Sequence, residues 1–375
     1  MGCDMMLTRL RANDRIVAAI EPLGGGISRF HSAESACQNC STIRINMRSN
    51  NSTSVSDRRG IALRFRLLLK SLFVGLALIF GGVLPRATAD DLQYSLDADS
   101  GRFEVTYKGR RVMLYVFATN QFKPYVKELY SLSGENVLLD APPDHLHHHG
   151  LMYAITVNGI NFWEEAKDPG VEKPFGAPAC GTTEAPVPSV WFAQTLHWVH
   201  NKDRWATNTA KAALLIERRT LTLAVNELDQ EVAVRWQGSF RVGPSVEKVV
   251  LSGSAYHGLG LRFPRTWDRV ARHQNSGGIP YSAEQKGDVT PALWTATSNT
   301  LDGKEIMVAV FARRQNAGTP KFFTMLDGFA YVSATQDLQN IPIEYKTGEE
   351  FSIDYLVAVY SAHKTREFLN SRAER

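Results

Sequence analysis

Seven consecutive residues carry the densest chemistry in this 375-residue chain: Asp144-His145-Leu146-His147-His148-His149-Gly150. They hold four of its ten histidines. An imidazole titrates nearest to neutral pH, and its neutral ring is a common metal ligand. Several imidazoles beside a carboxylate can therefore exchange protons with a substrate or hold a cation. If the run is extended, His145, His147 and His149 share one face and His148 takes the other. Clustered titratable groups perturb one another and favour functional sites, so Asp144, His145, His147 and His148 are the candidate catalytic residues, and His149 is the least secure member of the run.

The carboxylate partner must come from elsewhere. The His-x-His metal spacing of cupins needs a Glu four or five positions on, where this chain has Leu151, Met152, Tyr153 and Ala154. Beyond Val157-Asn158-Gly159-Ile160, a hairpin signal, the segment Asn161-Phe162-Trp163-Glu164-Glu165 folds back beside the His run. Glu165 is thus the candidate base, while Glu164 and Trp163 are candidate substrate contacts. A divalent metal at the His cluster would draw on the same carboxylates. In Tyr256-His257-Gly258-Leu259-Gly260-Leu261-Arg262, the glycines permit close approach of another backbone or a ligand, and His257 and Arg262 could anchor a substrate. Seven tryptophans suit sugar rings through apolar contact with directed hydrogen bonds.

The elements that must position these residues read as strands. Segments 103–107, 111–117, 214–225, 231–240, 246–251, 258–263, 306–311, 329–333 and 351–360 are β-branched or aromatic and bounded by turns. Asp302-Gly303 and Asp327-Gly328 mark hairpins. Stretches 166–189, with five prolines, and 271–291 read as long loops. The one helix expected is 365–375, packing Phe368 and Leu369. Many short strands without β-α alternation predict an all-β fold, a large antiparallel β-sandwich in a single domain over 90–375.

Residues 1–89 read differently. Residues 1–57 are expected to be a disordered extension or a mis-assigned start, with Met47 a possible initiator. Arg58, Arg59, Arg64, Arg66 and Lys70 precede the apolar run Ser71–Leu84 and then Pro85-Arg86-Ala87-Thr88-Ala89, the pattern of a signal peptide over 58–89 cleaved after Ala89. The run is shorter than the ~20 residues of a membrane span. The mature chain is expected to be periplasmic or secreted, without a membrane span. It keeps 30 basic and 33 acidic residues, a formal net of −3, so no basic field for nucleic acid remains. Cys180 is its one cysteine, so it forms no internal disulfide.

The order of motifs resembles a known family. Phe122-Lys123-Pro124-Tyr125, then Leu129–Gly134, then Pro142-Pro143-Asp144-His145-Leu146-His147-His148-His149-Gly150-Leu151 and Val157–Trp163 look like the bacterial "methane oxygenase PmoA-like" family over most of 93–363. Gly258–Arg262 looks like it too. Leu146 departs from that family's usual Pro, His149 from its usual basic residue, and Ala312–Pro320 lacks its usual His. The resemblance implies an exported β-sandwich, akin to the galactose-mutarotase-like supersandwich, and not a genuine methane monooxygenase. The resulting expectation is an exported protein acting on a carbohydrate or derivative by His/carboxylate general acid–base catalysis, as an epimerase, lyase or hydrolase. In that reading His147 or His148 protonates the substrate and Glu165 or Asp144 is the base. The alternatives are a non-catalytic glycan-binding protein and a metal-dependent oxidoreductase.

Overall fold

The computed structural model describes residues 91–280, 286–301, 303–313, 316 and 320–374, all within the unit Ile79–Arg375. The expected extension, signal peptide and cleavage site lie outside the described residues. Alternating strand segments emerge where expected, for example Arg102–Tyr107, Leu215–Asn226, Glu231–Val242 and Glu350–Tyr360. Along Leu215–Asn226 every second side chain from Leu215 to Val225 is buried, the charged Glu217 and Arg219 among them, as a strand with one covered face requires.

Among the described residues the strands form antiparallel sheets of nine, eight and four. The nine-stranded sheet runs, in spatial order, Leu92–Asp97, Arg102–Tyr107, Arg110–Val116, Tyr125–Leu129, Leu151–Ala154, Gly258–Arg262, Tyr331–Ala334, Lys321–Met325 and Gly287–Pro291. It packs face to face on the eight-stranded sheet. Tyr115 of the first meets Phe192 of the second at 5.3 Å between ring centroids, and Tyr153 meets Trp198 at 6.1 Å. The small sheet contains the hairpin Thr156–Val157 and Ile160–Asn161, whose Asn158 and Gly159 both take positive φ (49° and 78°), the turn that matches strand twist. The antiparallel sandwich expected from the sequence is present. So is the C-terminal helix, Arg366–Glu374, which buries Leu369 on the outer face of the eight-stranded sheet. No helix among the described residues is long and apolar enough to cross a membrane.

Both expected loops contain strands. Gly170–Thr183 is a 14-residue strand despite Pro174 and Pro178. It lies at the edge of its sheet and is interrupted by a register shift between Phe175 and Ala179, where missing proline N–H groups cost least. Within 271–291, Arg272–Asn275 and Gly287–Pro291 are also strands.

One polar group sits inside the sandwich. Arg219, fully buried, donates to Glu217 and Glu172 at 2.7 Å each and to the Pro124 carbonyl at 3.0 Å, while Trp198 Nε1 donates to Glu217 at 2.8 Å. Burial pushes the Glu172 carboxyl up, against the pull of Arg219 and with Glu217 adding to the rise. Removing the cation would strand two buried carboxyl groups. Arg219→Met should therefore lower the unfolding free energy by about 3–5 kcal/mol; a denaturant titration showing under about 1 kcal/mol, the ordinary cost of an exposed pair, would contradict this role.

Candidate functional site

The His run is not a strand. Pro142 O accepts from His145 N at 2.8 Å and His145 O from His148 N at 2.9 Å, closing two successive turns. Pro143 at the second position presets the first turn. The turned backbone breaks the two-residue alternation, so His145, His147 and His148 cluster while His149 departs from them. Their ring centroids lie 4.6 Å (145–148), 4.7 Å (147–148) and 6.1 Å (145–147) apart. Gly150 then enters the sheet where a Cβ would lie 2.5 Å from the Val126 carbonyl oxygen, so glycine is required there.

Three other segments complete a cavity of about 290 Å³ lined by His145, His147, His148, Trp163, Glu164, Ser254, Tyr256 and Phe329. Asn161 supplies the turn that delivers Trp163 and Glu164: its Oδ1 accepts from their backbone N–H groups at 2.8 and 3.0 Å. Trp163 lies 5.1 Å from both His147 and His148. Phe329 precedes Tyr331–Ala334 at the sheet end that also holds Gly150, and lies 4.9 Å from His145. Sequence reasoning singled out neither Phe329 nor Ser254, which carry no motif; Tyr256 stood in the segment it read but was not given a role.

The cavity keeps the imidazoles of His147 and His148 neutral. Burial lowers the His148 pKa to about 3, and the nearby His147 and His145 add to the fall. Burial also lowers that of His147, with Glu164 pulling the other way. His148 Nδ1 is buried with no hydrogen-bond partner among the described residues. A neutral imidazole accepts a proton or donates a hydrogen bond; it is not a ready imidazolium acid. Among the described residues, no group of three or more His, Cys, Asp or Glu side chains is arranged to hold a metal ion.

The remaining candidates stand around this wall. Asp144 is half-exposed, paired with Arg265, and 3.2 Å from His145 Nδ1 without hydrogen-bond alignment. His257 is buried behind Trp163, its ring stacked at 5.5 Å and 14°, and burial lowers its pKa to about 4. Arg262 is buried and its Nη1 is engaged by protein groups, donating to Asp268 (2.9 Å), Phe263 O (2.8 Å) and Ala330 O (2.9 Å), while its buried Nε has no hydrogen-bond partner among the described residues. The close approaches anticipated at its strand are to protein groups. A Cβ on Gly258 would lie 2.2 Å from the Ala334 carbonyl oxygen, and one on Gly260 2.2 Å from the Tyr331 hydroxyl.

Glu165 does not line the cavity; it belongs to a second network with His149. His149 Nδ1 lies 2.8 Å from Asp140 Oδ1 and Nε2 lies 2.9 Å from Glu165 Oε1. Glu165 also accepts from buried Lys123 at 2.7 Å, and the His149 ring stacks on Tyr125 at 4.1 Å. Both ring nitrogens face carboxylates, so both must carry protons. Burial opposes the charge, but the bonds to Asp140 and Glu165 outweigh it and the His149 pKa is raised. Burial likewise opposes the Glu165 charge, yet His149 and Lys123 hold its pKa down to about 2.

Against known proteins, a model of the "Family of unknown function (DUF6807)" matches residues 102–374. The chain belongs to this family. That assignment corrects the PmoA-like resemblance, which nothing in the comparisons indicates. No curated protein matches the chain. Among solved structures it is similar to an alpha-galactosidase from Lactobacillus brevis (8% identity, TM-score 0.41, covering 74% of this chain and 40% of that one). It is also similar to a GH36 alpha-galactosidase from Geobacillus stearothermophilus (8%, TM-score 0.42, 72% and 41%). A third is a galactose mutarotase related enzyme from Lactobacillus acidophilus (10%, TM-score 0.33, 68% and 97%). The chain spans about two fifths of the length of the first two. At these identities the function of this family member must be read from its own site.

The His149 network sets a pH window. A raised His pKa gives stability that is complete below its ordinary value of 6.5 and is lost as pH rises through the folded value. The lowered Glu165 pKa gives stability complete above its ordinary 4.5 and lost as pH falls toward about 2. His149→Phe keeps the stacking surface but removes the charge. It should cost about 3–5 kcal/mol and abolish the alkaline decline in chemical-denaturation stability. A variant as stable as the parent, with the same alkaline limb, would refute the clamp.

Proposed function

We propose that this protein is exported and acts on a carbohydrate or carbohydrate derivative through the cavity lined by the His turns. The observation that carries the reading is the convergence of three imidazoles, the Glu164 carboxylate and the rings of Trp163, Tyr256 and Phe329 on one open space of about 290 Å³. That volume suits one sugar unit, near the lower end of the ~300–1,000 Å³ of small-molecule sites. Aromatic faces beside hydrogen-bonding groups match the alternating apolar and polar surfaces of a sugar ring. The basic and apolar pattern of residues 58–89 supports export.

The chemistry follows from the protonation states. His147, neutral and half-buried, is the group to take a proton from a hydroxyl or from a carbon beside a carbonyl. The imidazolium so formed stands near Glu164, whose charge favours it. Returning that proton to a departing oxygen gives a lyase outcome, and returning it to the opposite face once the intermediate has turned over in the cavity gives an epimerase outcome. His148 and His145 position the ring and the substrate. The carboxylate in this scheme is Glu164, which lines the cavity, in place of Glu165. A non-catalytic glycan platform on Trp163 is less well served, since that side chain is 3% exposed and stacked on His257.

Screening the purified protein on saccharides should reveal a turnover that His147→Ala reduces by about 10²–10⁴-fold. Because the base must be deprotonated and burial lowers its pKa, kcat/KM should rise through one ionisation below 6.5 and then level off toward neutral pH. Unchanged turnover in both His147→Ala and His148→Ala, or activity that falls as pH rises through this range, would refute the assignment.

A further inference from the structure

The charges around the cavity are distributed unevenly. Of the side chains that line it, Glu164 is the one carboxylate, and none is Lys or Arg. Its carboxylate has no ion-pair or hydrogen-bond partner among the described residues. Four cations of the surrounding wall are each engaged by protein groups. Arg265 is held by Asp144, Arg262 by Asp268 and two carbonyls, and Lys123 by Glu165. His149 is held between Asp140 and Glu165. The lowered pKa values of His147 and His148 leave them uncharged as well.

We propose that this cavity selects an amino sugar, its free ammonium group taken by Glu164 against the wall of Trp163, Tyr256 and Phe329, and discriminates against acidic sugars. The inference rests on the carbohydrate reading above and adds the substrate's charge to it. An ammonium gains from a facing carboxylate and from aromatic faces. A uronate, phosphate or sulfate would find no Lys or Arg among the lining side chains and would meet the Glu164 carboxylate directly. The parent hexose and the N-acetylated sugar lack the charge and fall between.

Calorimetric or ligand-observed NMR titrations at pH 7 would compare hexosamines, N-acetylhexosamines, hexoses and hexuronic acids in the gluco, galacto and manno series. Within the series that binds, the free amine should bind at least tenfold more tightly than the N-acetylated and parent sugars, and the uronate should bind most weakly. Raising the salt concentration should shrink the preference in the wild-type protein, since screening weakens exposed charge pairs. Glu164→Gln should reduce the amine-to-parent ratio to about one, as expected when the facing charge is lost. Glu164 is exposed, so this change spares the core. Uronate binding equal to or tighter than the amine, or an amine preference indifferent to salt and to Glu164→Gln, overturns the inference. If neutral sugars bind as tightly as amines, the carbohydrate reading stands and the charge selection falls. If no sugar of any class binds, both fall.

Discussion

The imidazole of His149, held between Asp140 and Glu165, is the contact on which the site depends. It sits one residue after the cavity-lining His148 and immediately before Gly150, where the chain enters the sheet. An imidazolium with both nitrogens satisfied fixes the ring plane and ties three separate segments together. Lys123 completes the balance of charge from a fourth position, near the buried Arg219 group through the intervening Pro124 carbonyl. His149 and buried Lys123, with Lys127 a third cation 3.4 Å from Asp140 on the more exposed side, balance two carboxylates and hold the exit of the His loop in one geometry.

That anchoring lets the adjacent turns hold an unusual arrangement. Three imidazoles within about 6 Å of one another would repel if protonated; burial and proximity instead keep His147 and His148 neutral. The same sequence run therefore produces opposite protonation states at neighbouring residues. His148 is an uncharged wall of the cavity, and His149 is a charged rivet behind it. Environment, not residue type, divides the roles.

Much of this architecture was legible in the chain. The β-branched and aromatic segments located nine of the 21 strands described, and Asn158-Gly159 marked a hairpin whose positive φ values the structure shows. That His145, His147 and His148 meet Trp163-Glu164 in space was legible because the two segments are dense in chemistry and separated by that hairpin. The strand assignment of 144–149 failed because alternation was assumed where Pro142-Pro143 starts two turns. Gly170–Thr183 was misread because proline is tolerated at a sheet edge, and edge position is a tertiary property. The exchange of roles between Glu164 and Glu165, and the placing of Asp140, Tyr125 and Lys123 around His149, depend on which side chains meet in space. Arg262 looked like a substrate anchor because its partners, Asp268 and two carbonyls, are set by neighbouring strands.

The central claim is that one His run holds uncharged imidazoles in the cavity and a charged one behind it. Long-range proton–nitrogen NMR of the histidine rings at pH 7, assigned by single substitutions, tests this most directly. His149 should show two protonated nitrogens, while His147 and His148 should each show one protonated and one bare nitrogen. A neutral His149, or a His148 ring protonated at both nitrogens, would contradict the account.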